Sequence, residues 1–143
     1  MEILPATILD LNSLCKLERA CFDQDAWSLF DLIAVLSLGD VIRLKAVEDG
    51  VMIGFVAGDM RLSRGEAWIA TLAVDPRFQR RGVGRALLRA CEARFQTSKS
   101  KLTVRVSNSN AIALYEREGY RVSDVWHGYY RGGEDGLVME KLL

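Results

Sequence analysis

The chain has few of the residues that most often build metal sites and disulfides. Its 143 residues include a single histidine and three cysteines, Cys15, Cys21 and Cys91. The number of cysteines is odd, and no two of them have the Cys-x-x-Cys spacing. We therefore expect three reduced thiols on apolar helix faces and no metal site.

Net charge and long apolar runs are lacking as well. Lysine plus arginine and aspartate plus glutamate number 19 each, so the overall charge gives no reason to expect a nucleic-acid partner. The longest apolar stretches fall far short of the roughly 20 residues that a membrane helix needs, and no basic-plus-apolar signal stands at the N-terminus. We expect a cytoplasmic protein that contacts no membrane and has one domain over residues 1–143.

A run of arginines interrupted by glycines stands between an apolar strand and a helix. Residues 72–84 read LAVDPRFQRRGVG. Glycine admits backbone conformations that other residues resist and leaves no side chain between backbone N–H groups and a ligand. The N–H groups at a helix start, with the helix dipole, favour a phosphate, and Arg77 adds a further cation. The pattern predicts binding of a phosphorylated cofactor by the arginine-glycine loop, residues 79–85: Gln79, Arg80, Arg81, Gly82, Val83, Gly84 and Arg85.

Two common phosphate-binding loops do not fit this segment. A Walker loop needs Gly-Lys followed by Ser or Thr, and the sequence contains none. A dinucleotide fingerprint needs a third glycine three residues after the second, where this chain has Leu87. An arginine-rich, solvated turn before an ordinary helix remains the alternative.

Strands and helices alternate along the rest of the chain. Asp49-Gly50 predicts a tight hairpin, and the strands around it and after it predict an antiparallel meander. The strand-helix-strand unit around the arginine-glycine loop predicts a parallel pair. The predicted strands are 2–8, 41–47, 52–60, 66–74, 101–106, 120–126 and 137–142. Of the four predicted helices, the first follows Asp10 and the second begins at Ser28 and runs to about Leu36. The third runs from the arginine-glycine loop to about Thr97, with Glu92 on its outward face, and the fourth runs from residues 108–110 to Gly119.

The arginine-glycine loop and this order of elements resemble the GNAT acetyltransferases, whose acyl-CoA signature is Gln/Arg-x-x-Gly-x-Gly/Ala. The resemblance covers essentially the whole chain and is strongest to the RimI type, the N-terminal acetyltransferases of ribosomal proteins. It implies an α/β (α+β) GNAT fold, with a mixed, mostly antiparallel central sheet, a splayed parallel pair and helices on both faces. It also implies acetyl-CoA as co-substrate. The residues that carry the closer match are 104–108, 111–116, 119–120, 129–130 and 134–139, and Ala26-Trp27-Ser28 echoes the family's Pro-Trp-Ser.

The resemblance also assigns site residues. It implies that backbone groups of Leu72, Ala73 and Val74 bind the pantetheine arm and that the Asn108 amide contacts coenzyme A. It implies that Tyr115 protonates the departing thiolate. Each of these roles has a plainer structural alternative. Residues 72–74 could be core strand residues only, Asn108 could be a helix N-cap, and Tyr115 could be a half-buried core residue.

The general base is where the chain departs from the RimI pattern. RimI enzymes have a glutamate where this chain has Thr103, and Ala70-Thr71 provides none on the preceding strand. Glu66 and His127 are the remaining candidates, each with a plain surface role as the alternative. Without a carboxylate base, an α-amine of pKa about 8 is a better acceptor than a lysine of pKa about 10.4, by on the order of 3 kcal/mol.

Three functions stay open at this point. The leading one is acetylation of a protein or peptide N-terminus, with a ribosomal protein as one candidate partner. The second is acetylation of a small amine, and the third is a non-catalytic acyl-CoA binding module. We expect a monomer or a homodimer.

Overall fold

The computed structural model describes residues 1–22, 28–37 and 39–143; Ala26 and Trp27 of the Pro-Trp-Ser echo lie outside them. Within this part the chain forms seven strands and four helices. The strands are β1 (Glu2–Pro5), β2 (Val41–Glu48), β3 (Val51–Arg61), β4 (Glu66–Val74), β5 (Lys99–Arg105), β6 (Arg121–Trp126) and β7 (Gly136–Leu142). The helices are α1 (Leu11–Phe22), α2 (Leu29–Ser37), α3 (Val83–Arg94) and α4 (Ser109–Arg117).

The strands form one sheet in the order β1-β2-β3-β4-β5-β7-β6. Neighbouring strands are antiparallel except β4 and β5, which are parallel. The parallel pairing covers only Glu66–Trp68 against Lys99–Lys101, although both strands continue well beyond it. The predicted mixed sheet with a splayed parallel pair is therefore confirmed.

A β-bulge at Ala70 reverses the face of β4 just where that strand leaves β5. In the ladder with β3, Gly58 pairs with Ile69 and Ala57 pairs with Thr71, so Ala70 is the extra residue. Ile69 packs in the core that includes residues of α3, whereas Ala73 packs in the core that includes residues of α1 and α2. An extra residue in one strand bends it and strengthens its local twist, which accounts for the separation from β5.

Helices cover both faces of the sheet, as predicted. One core cluster joins the sheet to α3 and α4, and the other joins it to α1 and α2. The first includes Leu87, Cys91 and Leu102, and the second includes Leu14 and Phe55. Over the ranges that the structure describes, no helix is long and apolar enough to cross a membrane.

Turn signals in the sequence were accurate, with one exception near the N-terminus. Asp49 and Gly50 have φ values of 51° and 76°, the left-handed pair that a two-residue hairpin requires. The Ser28 Oγ accepts the Asp31 N–H at 3.2 Å, so the predicted cap of α2 is confirmed. The first strand ends at Pro5 instead of residue 8, because Thr7 caps a 3₁₀ turn in which the Asp10 carboxylate accepts the Thr7 N–H.

The prediction that Glu92 points outward on α3 is wrong. Its side chain is 8 % exposed and accepts hydrogen bonds from the Tyr120 hydroxyl at 2.6 Å and from Lys141 Nζ at 3.0 Å. These partners come from β7 and from the residue before β6, which local helix periodicity cannot detect. Helix α3 also ends at Arg94, because Phe95 is already extended, with ψ at 138°.

The three cysteines are free thiols, as predicted, but only partly core residues. Cys91 is buried in α3, and burial raises its pKa to about 12. Cys15 and Cys21 are half-buried on α1.

Candidate active site

A pocket of about 190 Å³ lies in the gap where β4 and β5 separate. It brings together Leu72, Thr103, Asn108 and Tyr115, four residues that the sequence singled out. The remaining lining residues are Phe22, Ile69, Ala70, Thr71, Leu102, Val104, Arg105, Ala111 and Tyr130. The splay therefore creates a cavity that has backbone of both strands on its walls and a tyrosine from α4.

Tyr115 is held in the pocket as a neutral phenol. It is 9 % exposed, and its ring meets the ring of Tyr120 edge-on with 5.9 Å between centroids. Burial, with a smaller effect of Tyr130, raises the pKa of Tyr115 well above its ordinary value. The hydroxyl is thus protonated at neutral pH and can donate to a developing negative charge.

Asn108 serves as the N-cap of α4. Its Oδ1 accepts the Ala111 N–H at 3.2 Å, so the plainer of its two sequence interpretations is confirmed. The capping bond uses the amide oxygen, and the amide nitrogen keeps its two donor hydrogens. A contact of Asn108 with a ligand in the pocket is compatible with the cap.

The arginine-glycine loop reaches α3 through two residues with positive φ. Gly82, the N-cap of α3, has a φ of 80°, and a Cβ built on it would meet no atom within 4 Å. The other residue is Arg80, with a φ of 64°. Gly84 does not need glycine's conformational freedom, contrary to our expectation, since it lies within α3 with ordinary φ. The backbone before α3 is therefore open to an incoming anion.

Side chains of this region brace the loop more than they surround a ligand. Gln79 Nε2 donates to the Val74 carbonyl at 3.2 Å, and Val83 is a buried anchor at 4 % exposure. Arg77 forms an ion pair with Asp75 at 2.9 Å, and its place around an anion stays a prediction. Arg80, Arg81 and Arg85 are exposed.

The Val74 carbonyl accepts a second hydrogen bond, from Cys21 Sγ at 3.1 Å. Two donors use both of its lone pairs. Any backbone contact of Val74 with a ligand must therefore come from its N–H. The backbone of Ala73 faces β3, where it pairs with Phe55, so the predicted contact of Ala73 with the pantetheine arm is wrong.

Thr103 faces the pocket on the side of the sheet away from α3. Burial alternates along β5, with Leu102 and Val104 buried and Thr103 and Arg105 half-buried, as period two predicts. Val106, the last residue of the predicted strand 101–106, lies beyond β5 and is 48 % exposed.

Neither candidate base from the sequence lies in the pocket lining. Glu66 forms an ion pair with Lys101 at 3.1 Å, which lowers the pKa of its carboxyl. The His127 side chain is 83 % exposed and lies 3.2 Å from Asp135. The plain surface role holds for the histidine, and the glutamate has a structural ion pair.

Sequence reasoning missed a buried polar pair beside the pocket. Glu18 of α1 is 1 % exposed, and its Oε1 accepts the hydroxyl of Thr71 at 2.9 Å. A signal was present: Glu18 stands four residues from both Leu14 and Phe22, inside the apolar stripe of α1. An acid at such a helix position is rare in cores and marks a special partner.

Comparisons with known proteins agree with this architecture. The Acetyltransferase (GNAT) family model matches residues 11–120. The chain is 38 % identical over 104 residues, 68 % of this chain and 69 % of the other, to the [ribosomal protein bS18]-alanine N-acetyltransferase of Salmonella typhimurium. The crystal structure of the ribosomal-protein-S18-alanine N-acetyltransferase from Escherichia coli matches with a TM-score of 0.88 and 30 % identity, over 99 % of this chain and 92 % of that chain.

A structure with bound cofactor has the same fold. Arabidopsis thaliana NAA60 in complex with acetyl-CoA superposes with a TM-score of 0.83 at 22 % identity, over 99 % of this chain and 98 % of that chain. The splayed strands, the open loop before α3 and the family match lead to one assignment. This chain belongs to the GNAT acetyltransferase family and is an acetyl-CoA-dependent N-acetyltransferase.

Proposed function

We propose that this enzyme acetylates the N-terminal α-amine of a protein or peptide, with a ribosomal protein as the leading candidate. The similarity to the S18-alanine N-acetyltransferases supports the proposal. In this proposal residues 1–143 act as one domain in the cytoplasm, and the oligomeric state is a monomer or a homodimer.

The observation that carries the proposal is the composition of the pocket. Among the described residues that line it there is no aspartate or glutamate, and the ionic side chain among them is Arg105. Arg105 lies 2.8 Å from Glu134, with its guanidinium 4.6 Å from the centre of the Tyr130 ring. Polyamines and similar cations are held by carboxylates, so this lining favours an amine that carries a single charge.

The aromatic wall beside the pocket is suited to a peptide. Tyr130 lines the pocket, Tyr129 lies against it with ring centroids 5.0 Å apart, and Trp126 follows at 5.0 Å. Tyr129 is 55 % exposed. Aromatic rings offer apolar area with a polar edge, as peptide-binding surfaces often do.

The proposed roles of the site residues follow the chemistry of acyl transfer. Acetyl-CoA supplies an activated thioester when bound. Backbone groups of Leu72 and the Val74 N–H hold the pantetheine arm and can donate to a developing oxyanion. The N–H groups of the arginine-glycine loop bind the pyrophosphate. Asn108 donates from its amide nitrogen, and Tyr115 gives its proton to the departing sulfur.

The test is an acetylation screen with two arms. One arm offers peptides with free N-termini, varied at the first two positions, and the other offers polyamines, amino acids and aminoglycosides. We expect turnover in the peptide arm. Turnover confined to the small amines would contradict the proposed acceptor, and binding of acetyl-CoA without turnover in either arm would favour the binding module.

A further inference from the structure

The carboxylate of Glu18 is buried one residue away from the acetyl-transfer pocket. Among the described residues of α1 those buried are Leu14, Leu17 and Glu18. Placing an ionised carboxylate among apolar side chains is costly, and such a group is retained when it has strong hydrogen bonds or a function. The adjacent turn of the helix brings Phe22 into the pocket lining.

Thr71 connects this carboxylate to the pocket. Its hydroxyl donates to Glu18 Oε1 at 2.9 Å, while the residue itself lines the pocket. A hydroxyl has one hydrogen and two lone pairs. With the hydrogen directed to Glu18, the lone pairs of Thr71 Oγ1 are available to accept a hydrogen bond from an amine.

The bulge at Ala70 makes this contact possible. Without the extra residue, Ile69 and Thr71 would point to the same face of β4. With it, Ile69 packs in the core on the α3 side, and Thr71 reaches α1. Thr71 therefore lies on the same side of the sheet as Thr103, across the gap from it, while Tyr115 comes from α4 on the other side.

We infer that Thr71 and Glu18 form the proton-accepting pair for the acceptor amine. The acceptor enters as an ammonium. One N–H bond breaks and its proton goes to Thr71 Oγ1, while the former hydroxyl proton of Thr71 goes to Glu18 Oε1, which later releases it to solvent. The neutral amine uses the freed electron pair to form the new bond to the acetyl carbon. The carbon-sulfur bond breaks, the sulfur takes the proton of Tyr115, and the second proton that the nitrogen loses on becoming an amide restores the phenol. The pair thus supplies the carboxylate base that RimI enzymes have at the position of Thr103. The inference rests on the proposed function, because it requires acetyl transfer to an amine in this pocket.

The described groups near Glu18 include a thiol of its own helix. On α1 itself, burial and the nearby Glu18 charge raise the pKa of Cys21 to about 11, so this thiol stays protonated. The buried side chains that α2 and β3 contribute to the same core cluster are apolar: Leu32, Val35, Leu36, Phe55 and Ala57. From β2, Arg43 donates to the Val35 and Val41 carbonyls, and Asp75 after β4 is paired with Arg77.

The experiment compares Thr71→Ser, Thr71→Val and Glu18→Gln on the best amine found in the acetylation screen. The serine keeps the hydroxyl, the valine keeps the shape, and the glutamine still accepts a hydrogen bond. Glu66→Gln is the matched control, a carboxylate at the other end of β4 that lies outside the pocket lining. For each protein kcat/KM is measured from pH 6 to 10, with coenzyme A affinity and the thermal melt alongside.

We expect Thr71→Val and Glu18→Gln to lose about 10²-fold or more in kcat/KM at pH 7. The loss should shrink above pH 9, where an α-amine of pKa about 8 is already neutral. Thr71→Ser and Glu66→Gln should follow the wild-type profile within a few-fold, and coenzyme A affinity should not change.

Two results would overturn the inference. One is a Thr71→Val profile parallel to that of Thr71→Ser, and the other is a pH-dependent loss that appears in Glu66→Gln instead. If Glu18→Gln does not fold, the pH profiles of Thr71→Val and Thr71→Ser alone test the inference, because neither substitution alters the carboxylate. The choice of acceptor in the screen tests the proposed function separately, since the pair acts on any primary amine that the pocket admits.

Discussion

The ring of Tyr115 meets the ring of Tyr120 edge-on, with 5.9 Å between their centroids. Tyr120 is 1 % exposed and hydrogen-bonded through its hydroxyl to Glu92 and to Ser100. A catalytic candidate on α4 is thus packed against a fixed ring of the core. Such packing holds the Tyr115 hydroxyl in one place in the pocket, as proton transfer requires.

Tyr115→Phe keeps the ring and removes the hydroxyl. We expect kcat to fall about 10- to 10³-fold with little change in the KM for acetyl-CoA, because the phenol acts on the departing sulfur and not on ground-state binding. Steady-state kinetics measure both constants. A variant with wild-type kcat would reduce Tyr115 to a core residue.

Gly82→Val tests the arginine-glycine loop. The side chain would stand where coenzyme A is expected, and φ at 80° is strained for any L-residue by about 1–2 kcal/mol. Calorimetry should show coenzyme A affinity lowered at least tenfold. Gly50→Val is a matched control, since Gly50 also has open space around it and a φ of 76°, but lies in the hairpin between β2 and β3.

The control separates strain from obstruction. Both valine variants should lose similar stability, and only Gly82→Val should lose affinity. Equal affinities for coenzyme A in the two variants would remove the pyrophosphate site from this loop.

Thr103→Glu asks whether a carboxylate at the RimI position adds to the rate. Thr103 lines the pocket, and its Cγ2 would lie 2.9 Å from a Cβ on Gly136, so the residue is closely flanked. The new acid should raise the rate toward a peptide N-terminus below pH 7, where few α-amines are neutral, and the gain should shrink above pH 8. Thr103→Gln is the control of equal size without charge. Parallel pH profiles of the glutamate and glutamine variants would show that position 103 does not reach the acceptor amine.

Tyr120→Phe tests the hydrogen-bond network behind the site. The Tyr120 hydroxyl donates to Glu92 Oε2 at 2.6 Å and lies 2.7 Å from Ser100 Oγ. Removing it leaves a buried serine and a largely buried carboxylate each with one partner fewer, so the free energy of unfolding should fall by about 1–3 kcal/mol. Denaturant titration measures the loss. Tyr129→Phe, at an exposed tyrosine, should change stability by less than about 0.5 kcal/mol, and equal losses would contradict the role of the network.

The sequence predicted what depends on neighbours along the chain. The Asp49-Gly50 hairpin, the Ser28 cap, the start of a helix within the arginine-glycine loop and the alternation around Thr103 all follow from local geometry. These signals come from residues within a few positions of each other, where backbone and side-chain preferences act directly.

Contacts between distant segments were not predictable in the same way. Glu18 and Thr71 are 53 residues apart, and Glu92 meets its partners 28 and 49 residues away. No turn-forming residue in the sequence predicts the bulge at Ala70, which depends on how β4 pairs with β3 and β5. Each of these features depends on tertiary packing. The one sign of it in the sequence was an acid, Glu18, within the apolar stripe of a helix.

A single peptide shows whether the acceptor is an α-amine. A peptide with a free N-terminus and one internal lysine is acetylated at pH 7 under limiting enzyme, and mass spectrometry locates the acetyl group. The difference in amine pKa of about 2.5 units favours the N-terminus by more than about 10²-fold in neutral amine. We predict acetylation at the N-terminus alone, and predominant acetylation of the lysine would rule out the α-amine as the preferred acceptor.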